Sequence, residues 1–190
     1  MSFITKNLKK VGIVNTILIA VCLILDGYLI GRYPIILSSP TFVITNVFEV
    51  ISIIFGLVYA ISGYKKDSAK YYKGFMITLL ITRIVDAFDD LYITLTFAEY
   101  NNSYFTSVFK FAIVICIAIL VFAKDFGKKK SLIVAYAALI CDVAVFARII
   151  TAYGGFVADI VVASIYLILS CITTIFVEAK YIDKESRGVK

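Results

Sequence analysis

The chain has no histidine and no tryptophan, only two prolines, and only 17% charged residues. Without histidine, the commonest general base and the commonest metal ligand are both missing. No G-x-S-x-G elbow, H-E-x-x-H pair or phosphate-binding glycine loop is present either. We therefore expect no enzyme, no catalytic residue, no metal and no cofactor. Asp86 and Asp142 meet the formal need of an aspartyl intramembrane protease for acids on different helices, but that pattern is too unspecific to build on. The four cysteines, Cys22, Cys116, Cys141 and Cys171, lie far apart inside apolar segments. That is neither a metal spacing nor a disulfide framework, and they read as small buried hydrophobes.

What the chain does have is apolar length. It is 62% hydrophobic over 190 residues, with a mean hydropathy of +0.97. A soluble domain is nearer half apolar and a quarter charged, so the composition is that of a membrane protein. Six apolar runs lie at about 11–30, 41–62, 74–97, 104–122, 131–153 and 156–177. Each reaches the roughly 20 residues that a helical span needs. Barrel strands are about half that length and alternate in polarity, which these runs do not. The expected fold is an all-α integral membrane protein, with six transmembrane helices in one domain over 1–190. The first run ends in Asp26, Gly27 and Tyr28 without a small-residue cleavage site, so it reads as a retained helix. Short connectors, among them GRYPIILSSP and the Gly154–Gly155 pair, imply three antiparallel hairpins.

Charge sets the orientation. The N-terminal tail, the 64–73 and 123–130 loops and the C-terminal tail carry 15 of the 19 basic residues. With six spans all four segments share one side. The positive-inside rule then places both termini in the cytoplasm of a multi-pass cell-membrane protein. Those segments balance to +10, while the spans and outer loops hold four bases and eight acids. The net charge of +6 is thus an orientation signal and an attraction to membrane lipid, and not a nucleic-acid footprint. The odd spans read CLILDGYLIGR, TRIVDAFDDLY and LICDVAVFAR, a weak hint of a threefold repeat.

The charges within the spans are the anomaly. At about 1.5 Å per residue they fall mostly in the outer half of the membrane. They also line up by helical face: Asn15, Cys22 and Asp26; Asn46, Glu49, Ser52, Gly56 and Gly63; Thr78, Thr82, Asp86 and Asp90; Asp159, Ala163, Tyr166 and Ser170. A charge facing lipid costs about 2.5 kcal/mol or more, so these stripes must face one another or a wet cavity. If the buried charges are structural, Arg83 would pair with Asp86, Arg148 with Asp142 and Lys110 with Glu49, fixing helix register. Bases are too few for the acids, and surplus carboxylates at depth hold a proton or meet a cation. Tyr28, Phe48, Phe88, Tyr92, Phe109 and Phe146 accompany them, and carboxylate with aromatic rings suits an organic cation.

The expected function is therefore binding or carriage of a small cationic solute in an acidic, outward-facing pocket built from Asp26, Glu49, Arg83, Asp86, Asp89, Asp90, Asp142 and Asp159. Partners would be lipid, the solute or ion, and a second copy or transporter subunits, with no nucleic acid. One alternative is a proton or cation channel or exchanger, with Asp86, Asp90 and Asp142 as a relay. Another is a non-transport membrane partner or sensor whose buried charges are structural. In size, span number and outward polarity the chain resembles the substrate-binding subunits of energy-coupling-factor vitamin transporters. That likeness is of architecture alone, and it would imply a capture subunit. Where those subunits tend toward alanine-rich packing in the first helix, VNTILIAVCLILDG has only Ala20.

Overall fold

The computed structural model describes residues 8–33, 39–62, 64, 68–96, 103–123, 126–152 and 157–186. Pro34, Gly63, Glu99 and the Gly154–Gly155 pair lie outside the described residues. Six helices account for nearly all that is described: α1 Leu8–Arg32, α2 Pro40–Ile61, α3 Ala69–Thr96, α4 Ser103–Phe122, α5 Lys128–Ala152 and α6 Val157–Ser186. Five of the six, all but α3, are long and apolar enough to cross a membrane. At 28 residues α3 has the length, but Arg83, Asp86, Asp89 and Asp90 break its apolar stretch. The apolar runs locate the helices well, yet α3 begins five residues before its run and α6 continues to Ser186. Helix geometry carries on through polar residues that a hydropathy window excludes.

Each helix packs on its neighbours in sequence, α1 closes on α6, and α3 touches α6. Enclosure is uneven. In α6, 56% of the span is buried, against 22–28% in the other four apolar spans. The perimeter is apolar: Ile24, Ile61, Phe122 and Ile140 are each about two-thirds exposed or more. A soluble protein would hide such a surface, and a lipid-facing one requires it.

Local chemistry explains how α2 begins and ends. Ser39 caps it, with Oγ accepting from the Phe42 N–H at 3.4 Å, and Pro40 takes the first turn where its missing N–H costs nothing. Just past the helix end, Tyr64 adopts φ 61°, a left-handed conformation uncommon for a bulky residue. Tertiary contacts hold it there. Its ring packs edge-on against Tyr59, with centroids 5.1 Å apart, and its hydroxyl accepts from Asn15 Nδ2 at 2.9 Å. Phe176 of α6 meets Tyr59 and Phe75 at 5.0 Å and Tyr64 at 5.9 Å, so rings from α2, α3 and α6 and the Tyr64 turn form one aromatic knot.

Many hydroxyls within the helices are already spent on the backbone. Thr16, Thr78, Thr82, Thr173 and Thr174 each donate to the carbonyl four residues earlier, at 2.8–3.0 Å. Such bonding lets a threonine sit inside a greasy bundle without an orphan hydroxyl. Two glycines permit close approach. A Cβ on Gly56 would stand 3.1 Å from the Phe75 ring and 3.5 Å from Ile19, and one on Gly74 would stand 2.9 Å from Phe55. Gly56→Ile should therefore lower the melting temperature of the detergent-purified protein, with an overpacking cost of about 1–3 kcal/mol. Ile44→Ala, on the exposed face of α2, should leave melting nearly unchanged.

Candidate functional site

The end of the bundle where α1 gives way to α2 holds the charges. Arg83 on α3 is buried and extends toward α5 and α6. Its Nη2 donates to Asp142 Oδ2 at 2.9 Å and to the Tyr166 carbonyl at 3.0 Å, and lies 3.4 Å from Ser170 Oγ. Ser170 Oγ also donates to Asp142 Oδ2. The guanidinium stands 4.0 Å from the centroid of the Tyr166 ring. A planar cation thus gains a carboxylate, a carbonyl and a π-face together, which a lysine could not match. Both charged side chains are only 3% exposed. The i+3 pairing of Arg83 with Asp86 does not form, and Asp142 is taken by Arg83 and not by Arg148. Crossing the bundle offers Arg83 three acceptors, where its own helix offers one.

A second cluster lies nearer that end. Lys110 on α4 bridges Asp86 Oδ1 at 3.0 Å and Asp90 Oδ1 at 3.1 Å. Thr106 Oγ1 donates to Asp90 Oδ2 at 3.3 Å, and Ser107 Oγ donates to the same oxygen. Lys110 is therefore not the partner of Glu49. One turn separates Asp86 from Asp90, so a single ammonium reaches both.

The remaining acids surround open space. A cavity of about 80 Å³ is walled by Asp26 of α1, Thr41, Thr45, Asn46 and Glu49 of α2, and Asp86 and Asp89 of α3, with Phe42, Tyr166 and aliphatic residues filling the rest. No lysine or arginine lines it. Asp26 and Glu49 are only 3% and 4% exposed. Asp26 Oδ2, Glu49 Oε1, Asp86 Oδ2 and Asn46 Oδ1 have no hydrogen-bond partner. A smaller cavity of about 30 Å³ lies between Arg83, Asp86, Lys110, Asp142 and Tyr166. Asp86 and Tyr166 wall both spaces.

Of the eight expected site residues, four meet at the first cavity: Asp26, Glu49, Asp86 and Asp89. Arg83 and Asp142 form the buried pair behind it, and Asp90 is held by Lys110. Asp159 stands apart: it lies in the first turn of α6 and is exposed, while deeper α6 residues, Val162, Ile165 and Tyr166, form the wall. The aromatic expectation also changes. Tyr28, Phe88 and Tyr92 are exposed on the perimeter, and neither they nor Phe48, Phe109 and Phe146 line the cavity. The ring that does line it, Tyr166, carries Arg83 beside its face. Sequence reasoning passed over Thr41 and Thr45, although with Glu49 they recur every fourth residue and so share a face. Among the described residues no three acids or thiols come close enough to hold a metal ion directly.

No protein-family model, no curated protein and no solved structure matches this chain. The transporter-subunit resemblance therefore remains one of size and polarity.

The Arg83–Asp142 pair yields a test of what holds this end together. Removing one member leaves a buried uncompensated charge, at a cost of about 3–5 kcal/mol. Asp142→Ala should therefore lower thermal stability sharply. The double variant Arg83→Met, Asp142→Leu, which leaves no charge behind, should recover much of that loss in the same assay.

Proposed function

We propose that this chain is a small multi-pass protein of the cell membrane that binds a small monovalent cation in an acidic pocket open to the exterior. In this reading all six helices span the membrane as three antiparallel hairpins, α3 included, because its charges turn into the bundle. The lysine-rich connections and both termini then face the cytoplasm. The four carboxylates would stand in the outer half.

One observation carries the reading: four carboxylates wall a single cavity from which every basic side chain is absent. Three of them direct an unpartnered oxygen. Buried carboxylates left without a counter-charge are costly, and a cation from outside relieves that cost. Arg83 is committed to Asp142, and Lys110 reaches this cavity only through Asp86, so the buried acids Asp26 and Glu49 have no basic partner among the described residues.

Size narrows the ligand. Liquid water takes up roughly 30 Å³ per molecule, so about 80 Å³ suits an alkali ion with a little water, or an ammonium or methylammonium ion. A vitamin-sized solute is too large. The relay reading through Asp86, Asp90 and Asp142 is weakened by Arg83, which holds Asp142 behind the cavity.

Thermal unfolding in detergent tests the proposal, with sodium, potassium, ammonium, methylammonium and choline compared at constant ionic strength. A cation that binds should raise stability by about 2.7 kcal/mol at one hundred times its dissociation constant. Choline, too large for the cavity, should do nothing. Glu49→Gln and Asp26→Asn should each weaken the response at least tenfold. An unchanged response in both variants would sink the reading. Proteoliposome flux of the cation that binds would then separate a carrier from a capture protein.

A further inference from the structure

The opposite end of the bundle carries a cavity of a different character. It measures about 260 Å³, more than three times the acidic one, and among the described residues that line it none is acidic. Two cations stand on its wall: Lys73, one turn into α3, and Lys180 near the end of α6. Both are exposed, so the space is reached from outside the protein. Lys180 Nζ lies 4.9 Å from the centre of the Tyr72 ring, which anchors the lysine beside the cavity. Tyr72 and Tyr59 are buried behind it, while Met76 and Leu120 give the wall an apolar part. Further lysines, Lys70, Lys129 and Lys130, are exposed near the start of α3 and of α5. They add to the positive potential at this end.

Two ammonium groups beside an apolar surface suit a phosphate that carries a hydrocarbon portion. Lysine meets phosphate oxygens as a point charge from any direction. Enclosed drug-sized ligands occupy roughly 300–1,000 Å³, so a space of about 260 Å³ excludes a whole nucleotide and admits a headgroup. We infer that this cavity binds a phosphate-bearing anion, with the headgroup of an anionic phospholipid as the source its apolar wall favours. In the orientation proposed above it would open to the cytoplasmic leaflet, where anionic lipids draw basic segments to the surface. The binding chemistry itself does not depend on the cation pocket, because the two cavities share no lining residue.

Thermal unfolding of the full chain in detergent provides the test, using dihexanoyl phosphatidylglycerol, dihexanoyl phosphatidylcholine and inorganic phosphate at constant ionic strength. The anionic lipid should give a saturable rise in melting temperature, and the zwitterionic lipid should not. Lys73→Gln, Lys180→Gln should weaken the apparent affinity about thirtyfold, whereas Lys73→Arg, Lys180→Arg should largely keep it. Both lysines are exposed, so the ligand-free melting temperature of either variant should stay near the parent value. Saturable stabilisation by phosphate alone, lost in the double glutamine variant, would support the same site with the free anion as its ligand. Equal stabilisation by both lipids, or full binding by the double glutamine variant, would overturn the inference. Glu49→Gln should leave this response intact, so failure here and failure of the cation proposal are separable.

Discussion

An acid inside a helical bundle must find a counter-charge, a hydrogen-bond donor or water, and α3 is where this chain meets that demand. Arg83 ties α3 to Asp142 on α5 and to the Tyr166 carbonyl on α6. Lys110 on α4 ties back to Asp86 and Asp90. These contacts link α3 through charged groups to α4, α5 and α6. The geometry follows from scarcity. With few bases available, Arg83 and Lys110 are placed where each reaches more than one acceptor.

That economy leaves a residue of acids, and it leaves them together. Asp26 and Glu49 come from two helices, and Asp86 and Asp89 from a third, yet all border one small space. Threonines and Asn46 complete its polar wall, while Tyr28, Phe88 and Tyr92, expected to cage a cation, are exposed on the perimeter. The cavity is therefore small, with its acids and hydroxyls set beside an apolar wall of Leu29, Phe42, Val162 and Ile165. At the other end the signs reverse: lysines and tyrosines surround a larger space with an apolar side. Beside that larger space lies the aromatic knot of Tyr59, Tyr64, Phe75 and Phe176, with Tyr59 part of its wall. The bundle is thus polarised along its length.

Much of this was legible beforehand, and for one reason. A residue facing lipid and a residue facing protein have different chemistry, so the helical period reports the inward face. Asn15, Cys22 and Asp26 lie on one stripe of α1 and all are buried, as are Glu49, Ser52 and Gly56 on α2. Tyr166 and Ser170 are buried on α6 as the stripe requires, but Asp159 at its head is exposed. Face arguments weaken in a first turn, where no neighbouring helix need extend far enough to cover it. Thr41 and Thr45 were missed for the converse reason, since threonine inside a membrane helix commonly bonds its own backbone and carries little positional meaning.

Helix number, the inward stripes and the surplus of acid were fixed by composition and period, because lipid penalises any other arrangement. Which acid meets which base was decided only by the tertiary structure. Partner choice depends on the rotation and axial offset of helices far apart in the chain, and no local pattern encodes either. Arg83 and Asp142 are 59 residues apart, and nothing in TRIVDAFDDLY favours that aspartate over Asp86 three positions away. Only the folded bundle reveals that Asp26, Glu49 and Asp89 border one open space together with Asp86, which Lys110 holds from the other side.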